Sequence, residues 1–294
     1  MNKIGIVGVG LMGHGIAKNL IRHSYDLMLF EHSGNQPTED LTNAGAKTTR
    51  SLRELARHSD AVLLVLTGSA QVEAVLTGED GILSGLRPGG IVIDCSTALP
   101  ASTAKMASAV AAAGGLFLDA PMTRTAKEAE EGRLNLLVGG DAALFARCRP
   151  MLTSFAENIS HVGPVAAGHS MKLLHNFVSL GMVTLLSEAA ACATRSGIDP
   201  TVFVEVLATG GGGGTALNRL APYLSTGDLS KMQFTLTNAV KDLSYYNTMA
   251  ADAEASNTVA ASVLAALEFG ASVKSGDRFV PELATILAEF SPNL

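Results

Sequence analysis

Three stretches combine residue types and spacings that can do chemistry. The first is Gly8-Val9-Gly10-Leu11-Met12-Gly13, inside "KIGIVGVGLMGHGIAKNL". It follows a strand-like run and opens a helical pattern, the setting in which G-x-G-x-x-G binds a dinucleotide. Gly8 is expected to allow the tight turn, Gly10 the close approach of a pyrophosphate, and Gly13 the packing of helix on strand. The helix N-terminus offers free N–H groups and partial positive charge to the phosphates. Leu11 and Met12 lie within the motif and are counted with the cofactor site. Glu31 ends the next strand-like run, where a carboxylate accepts hydrogen bonds from both adenosine ribose hydroxyls and repels a 2′-phosphate. No Arg or Lys occurs in "EHSGNQPTED" to reward such a phosphate. NAD is therefore the expected cofactor and NADP the alternative. A glycine-rich turn of an unrelated α/β protein explains the glycines, but not strand, helix and distal acid together.

The second stretch is "DAPMTRTAKEAEEG", Asp119 to Gly132, which begins where an apolar run ends. Loops at strand ends carry ligands in α/β folds, and this one holds Arg124 between Thr123 and Thr125. The third is Lys172, set in the largely apolar "AGHSMKLLHNFVSLGM". A lysine on an amphipathic helix is ordinarily a surface residue, but a lone lysine in apolar surroundings calls for a reason.

The elements that must position these residues can be read from periodicity. The runs "KIGIVGV", "LMLFE", "AVLLVL", "IVIDCS" and "LFLDA" alternate with helical patterns, and "LNLLVGGD" and "ENISHVG" read as two further strands. Strands alternating with helices imply a parallel sheet covered on both faces. From Val165 to Ser196 there is no proline, and Leu, Met and Ala dominate, so one long helix is expected, ending at Gly197 and Pro200. Everything from there to Leu294 reads as helical. The expected architecture is an α/β Rossmann dinucleotide-binding domain, residues 1–163, followed by an all-α domain, residues 164–294. The long helix, about 165–196, joins them. The glycine run Gly210–Gly214 reads as a flexible connection, or as backbone that can approach a ligand closely.

Composition bounds the function. The chain has 294 residues, 47% of them hydrophobic, and a net charge of −6. That is globular, and it argues against a nucleic-acid partner, which favours a basic excess. No run reaches the length of a membrane span, and a strand starting almost at Met1 leaves no room for a signal peptide. Cys95, Cys148 and Cys192 form neither a metal-ligand cluster nor an even disulfide set, so no metal is expected and each reads as a buried or half-buried residue. A cytoplasmic setting is the expectation.

Four separated segments carry a resemblance over essentially the whole chain. "IGIVGVGLMGHGIAKNL" resembles the opening G-x-G-x-M-G-x-x-x-A-x-N-L of the β-hydroxyacid dehydrogenase family, the relatives of 3-hydroxyisobutyrate dehydrogenase. "GIVIDCSTALP" is similar to its I-D-x-S-T segment, "GHSMKLLHN" to G-x-x-x-K-x-x-N-N, and "FTLTNAVKDL" to the late K-D-L motif. The resemblance implies an NAD-dependent oxidoreductase interconverting a small β-hydroxy acid and its semialdehyde. Lys172 is then the catalytic residue: it takes the hydroxyl proton as hydride leaves carbon, and returns it in reverse. Burial and a nearby cationic nicotinamide would lower its pKa. Asn176, one turn further, shares the face of Lys172, and Ser179 continues it; both are expected at the substrate. Ser96 and Thr97 are implied near the nicotinamide, Ser96 toward substrate. Leu66 and Lys241 are assigned to the cofactor, Lys241 with Asp242 closing over it. The alternative for that pair is a solvated helical face. His175 stands where the family has Asn, and its role is open.

The substrate loop departs from the family's D-A-P-V-S-G-G. Thr123 keeps the hydroxyl, while Arg124 and Thr125 replace both glycines. A guanidinium has a fixed fork of donors and a permanent charge, suited to a sulfonate, a phosphonate or a second carboxylate. The pattern is nearer to D-x-P-V-G-R-T of the sulfolactaldehyde reductase branch, although that branch has tyrosine where Phe177 stands. The alternative is an Arg124 that faces solvent or pairs with Glu128. Two classes rival this reading: a non-catalytic dinucleotide-binding module, and an imine reductase. Lys172 argues against both. The long apolar helix must bury its faces, which suggests a homodimer or homotetramer.

Overall fold

The computed structural model describes residues 1–273 and 278–289; the helical reading of Phe290 to Leu294 lies outside them. Two compact units form, Met1–Lys172 and Leu173–Leu294, and the division falls inside the long helix.

In chain order the first unit contains β1 (Lys3–Val7), α1 (Leu11–Arg22), β2 (Asp26–Phe30), α2 (Glu39–Asn43), β3 (Lys47–Thr49), α3 (Leu52–His58), β4 (Ala61–Leu64), α4 (Ser69–Thr77), β5 (Ile91–Asp94), α5 (Pro100–Ala112), β6 (Leu116–Asp119), β7 (Met122–Thr123), α6 (Ala126–Glu130), β8 (Leu134–Gly140), α7 (Ala142–Leu152) and β9 (Ala156–Gly163). The sheet order is β3-β2-β1-β4-β5-β6-β8-β7, with β9 paired to β8. Neighbours from β3 to β6 are parallel, β8 runs antiparallel to β6 and β7, and β9 is parallel to β8. The order reverses between β1 and β4, and ligands of doubly wound sheets bind beyond the carboxyl ends of the strands at such a reversal.

Continuous apolar runs form the central strands because both faces of the sheet are covered. Alternate residues divide between two cores: Ile4, Ile6, Leu63, Ile91 and Ile93 in one, Val7, Val62, Leu64 and Val92 in the other. Helix α1 buries Ile16, Ala17 and Leu20 in the first, and α3 and α4 bury Leu55, Val72 and Leu76 in the second. Two short strands, β3 and β7, lack any apolar run and were not expected from periodicity. Strand β4 stops at Leu64, before Val65 and Leu66, and β2 stops just before Glu31.

The second unit is helical. It takes most of α8 (Ala167–Arg195), then α9 (Pro200–Ala208), α10 (Thr215–Thr226), α11 (Leu236–Asp252), α12 (Thr258–Val273) and α13 (Leu283–Glu289). Gly197, at φ +74°, ends α8 in the left-handed conformation that glycine adopts at no steric cost. Asp199 then caps α9 by accepting from the Thr201 N–H at 2.7 Å. Leu180, Val183 and Leu186 of α8 pack with Leu217 and Leu220 of α10, Leu236 and Leu243 of α11 and Leu267 of α12. By length and mean hydropathy α8 meets the requirement for a membrane span, which the sequence reading had excluded; its inward side belongs to this core. Leu174, Val178 and Leu185 remain exposed on it. Cys95 and Cys148 are buried as expected, but Cys192 is exposed.

Candidate active site

The glycine loop between β1 and α1 is shaped by close approach. Gly8 has φ +98°, and a Cβ on it would lie 2.2 Å from the Val65 carbonyl oxygen. A Cβ on Gly13 would lie 2.0 Å from the Gly8 carbonyl oxygen, so α1 could not start where it does. Around Gly10 there is open space. Helix α1 has glycine as its N-cap and no acid in its first turn, so its first N–H groups remain for an anion. These residues fit the pyrophosphate of a dinucleotide. Asn35, which the sequence reading missed, fixes the loop: its carbonyl accepts from the Val9 N–H at 3.1 Å and its amide donates to the Phe30 carbonyl at 2.8 Å. Leu11 is exposed at the head of α1, and Met12 and Leu66 are half-buried.

Glu31 sits just past β2. Its carboxylate accepts from the Thr48 hydroxyl at 2.6 Å and from Arg50 Nε at 2.7 Å. The Thr48 hydrogen bond first, and Arg50 second, hold its carboxyl below the usual range, so it is ionised at neutral pH. The segment directly after Glu31 holds no Arg or Lys, but a cation reaches it from further along the chain. Arg50 follows β3, and pairing of β3 with β2 brings it alongside.

The ends of β4, β5 and β6 are tied together and to α8. The Ser96 hydroxyl accepts from the Leu66 N–H at 3.0 Å, and the Ser96 N–H donates to Asp94 at 2.9 Å. Ser96 is thus buried in the framework, and Thr97 beside it is half-buried. Asp119, wholly buried at the end of β6, accepts from the N–H groups of Ala166 and His169, each at 2.9 Å. It caps α8 from a distant part of the chain. Lys172 follows one turn into that helix and is half-buried.

The β7–α6 loop departs from expectation in its pairings. Thr123 is buried, and its hydroxyl accepts from the Asn135 amide at 3.1 Å. Arg124 does not pair with Glu128; its guanidinium donates to Glu157 of β9 and to the Arg133 carbonyl. Glu128 instead accepts from the Thr125 hydroxyl at 2.6 Å and the Thr125 N–H at 3.0 Å, which starts α6. The spacing Thr125-x-x-Glu128 is a capping-box signal that was legible in the sequence. Arg124 has φ +82°, a left-handed backbone that favours glycine.

In the second unit, Asn176 is buried and its amide donates to Asp242 at 2.6 Å. Lys241 lies 2.7 Å from the other Asp242 oxygen. Asp242 is only 3% exposed, so this pair is not a solvated helical face. Ser179 is half-buried, with its hydroxyl 3.5 Å from the Asn176 carbonyl. His175 is exposed.

Comparison with known proteins shows the family of the chain. Residues 3–163 match the sequence model of the NAD binding domain of 6-phosphogluconate dehydrogenase. Residues 166–283 match that of the NAD-binding region of NADP-dependent 3-hydroxyisobutyrate dehydrogenase. The chain is 34% identical over 225 residues to 3-hydroxyisobutyrate dehydrogenase of Pseudomonas aeruginosa, covering 76% of this chain and 74% of that one. The chain belongs to the β-hydroxyacid dehydrogenase family. This dehydrogenase is also 33% identical over 223 residues to NAD-dependent L-serine dehydrogenase of the same organism, covering 76% of this chain and 74% of that one. A solved 3-hydroxyisobutyrate dehydrogenase of Salmonella typhimurium superposes with a TM-score of 0.84 at 26% identity, over 97% of this chain and 100% of that one. The enzyme is an NAD(P)-dependent dehydrogenase acting on CH–OH groups.

One glycine of the family-like segment around Lys172 has a direct physical reason in this dehydrogenase. A Cβ on Gly168 would lie 2.4 Å from the Leu137 carbonyl oxygen and 2.7 Å from Asp119 Oδ2. Both obstacles are fixed, one being backbone and the other a buried carboxylate in two hydrogen bonds. Gly168→Ala should therefore destabilise the fold by about 2–3 kcal/mol, by displacing α8 from its cap. Urea unfolding checks this, and an unchanged midpoint would show that the helix start can shift freely.

Proposed function

We propose that the enzyme interconverts a small β-hydroxy acid and its semialdehyde, with Lys172 as the proton donor and acceptor. The observation that carries this reading is the capping of α8 by Asp119. It holds the turn bearing Lys172 to the same strand ends that bear the glycine loop and Ser96. Bound NAD supplies the hydride acceptor. The lysine amine takes the hydroxyl proton as hydride departs and returns it when the aldehyde is reduced. Ser96, Thr123 and Arg124 orient the substrate, whose anionic group lies at the β7–α6 loop. Relatives named for 3-hydroxyisobutyrate, L-serine and 2-(hydroxymethyl)glutarate support a small hydroxy acid as the substrate class. Intact Lys172 and Asn176 argue against a non-catalytic binding module. Lys172→Ala is expected to lower kcat by about 10²–10⁴-fold while leaving the Kd for NAD, measured by fluorescence titration, nearly unchanged. A variant that keeps most of its kcat would remove Lys172 from the mechanism.

NAD is the favoured cofactor because the ionised Glu31 rewards ribose hydroxyls and repels a 2′-phosphate. Arg50 gives NADP its own argument, since a guanidinium released from Glu31 can pair with that phosphate. Glu31→Ala should weaken NAD about tenfold and narrow the preference over NADP, because it removes one acceptor and frees one cation. An unchanged ratio of kcat/KM for the two cofactors would locate the selection elsewhere.

A sulfonated substrate is a second reading, favoured by the backbone of Arg124. A left-handed arginine costs about 1–2 kcal/mol relative to glycine. Such strain persists where the side chain has a use. An anion reaching Arg124 would exchange with Glu157, its present partner. With a pair of three-carbon aldehydes, one carboxylated and one sulfonated, Arg124→Gly should raise KM for the sulfonate about tenfold more than for the carboxylate. Equal increases would assign Arg124 to the Glu157 pairing alone.

A further inference from the structure

Val9 stands between Gly8 and Gly10 in the glycine motif and is wholly buried. The sheet does not serve its backbone, because β1 pairs with β2 as far as Ile6 and with β4 as far as Val7. A buried N–H and a buried C=O each need a partner. Both partners come from one short segment beyond β2. The Val9 N–H donates to Asn35 Oδ1 at 3.1 Å, and the Val9 carbonyl accepts from the Gln36 N–H at 2.8 Å. Asn35 Nδ2 donates in turn to the Phe30 carbonyl at 2.8 Å. A backbone N–H can only donate and a carbonyl can only accept, so these two partners fix which way the carboxamide points. The Asn35 N–H donates to the His32 carbonyl at 3.0 Å and closes the turn that follows Glu31. Asn35 is half-buried, while His32, Ser33, Gly34 and Gln36 around it are exposed. One uncharged side chain thus ties the residue before Glu31 to the middle of the glycine motif.

We propose that Asn35 is a positioning residue for the cofactor: its carboxamide fixes the spacing between the Glu31 carboxylate and the glycine loop, so that one dinucleotide engages ribose and pyrophosphate together. The inference deepens the reading of Glu31 and Gly8–Gly13 as the dinucleotide site and rests on it. A ligand with two points of contact gains from the second only when the spacing of the two sites matches its own. The residue type suits the task. An aspartate would keep the bond to Val9, lose the donor for Phe30 and set a second negative charge beside a pyrophosphate. A serine would be too short to reach both groups. With both backbone groups of Val9 engaged, the phosphates are left to the first N–H groups of α1 and to the open space at Gly10.

The test compares a whole ligand with one of its halves. Kd values for NAD and for adenosine are measured by NMR titration of the full chain. Asn35→Ala should weaken NAD about tenfold and adenosine by less than about twofold. Asn35→Leu, which fills the same volume without either hydrogen bond, should do the same. Ser33→Ala, in the same turn, should leave both unchanged. In kinetics the Asn35 variants should raise KM for NAD while kcat at saturating NAD stays within about twofold. Equal losses for NAD and adenosine would assign Asn35 to the ribose site alone and overturn the proposal. An unchanged Kd for NAD, or a fall in kcat at native KM, would overturn it as well. Amide hydrogen exchange tests the link in the unaltered enzyme. Without cofactor, the Val9 amide should exchange as slowly as the amides of β1, and at least about tenfold faster in Asn35→Ala. Exchange at the rate of an exposed loop in the unaltered enzyme would overturn the link itself. Failure of the underlying cofactor reading looks different: an unchanged Kd for NAD in Glu31→Ala would remove the ribose site, and the proposal with it, while the protection of Val9 stays intact.

Discussion

The capping of α8 by the buried Asp119 carboxylate is the constraint on which the first unit's chemistry depends. A helix N-terminus carries unsatisfied N–H groups and partial positive charge, and an ionised acid there satisfies both. Asp119 accepts from Ala166 and His169, so the helix start is set by the end of β6. The fit is close. Gly168 and Gly139 flank the carboxylate, and a Cβ on either would come within 2.7 Å of its oxygens. Ala166, at φ +74°, accepts a left-handed backbone to bring its N–H to the acid. Strain at that residue is offset by its hydrogen bond to the buried carboxylate.

The same logic recurs along the strand ends. Parallel strands deliver their carboxyl ends to one edge of the sheet, and each acid there is held by a group from a neighbouring element. Asp94 holds the Ser96 N–H, and Ser96 holds Leu66. Glu31 is held by Thr48 and Arg50. These acids fix loops that the apolar core cannot reach. The second unit repeats the device on a smaller scale, with buried Asp242 between Lys241 and Asn176.

The β7–α6 loop sets a long charged side chain on a backbone that favours glycine. Arg124 keeps a conformation natural to glycine, the residue that the family pattern has there. Glu157 and the Arg133 carbonyl hold its guanidinium against β9 and the start of β8. The capping box of Thr125 and Glu128 starts α6 directly after it and limits how far the loop can move.

Much of this was legible in the residues. Strand runs buried on both faces, the glycine motif, the long proline-free helix and the order of the four segments are all written in neighbouring positions. Periodicity and local sterics act over a few residues, so a local pattern suffices to specify them. The sequence therefore determined the Rossmann unit, the helical second unit and the family. It did not determine which distant groups would meet. β3 has no apolar run, so the arrival of Arg50 at Glu31 could not be read. Asp119 and the α8 start are separated by 47 residues, and Arg124 and Glu157 by 33. The partners of Glu31, Asp119 and Arg124 depend on where the sheet returns the chain. Only the tertiary structure decided them, because the choice of partner for a charge is set by burial and by which other charges are already engaged.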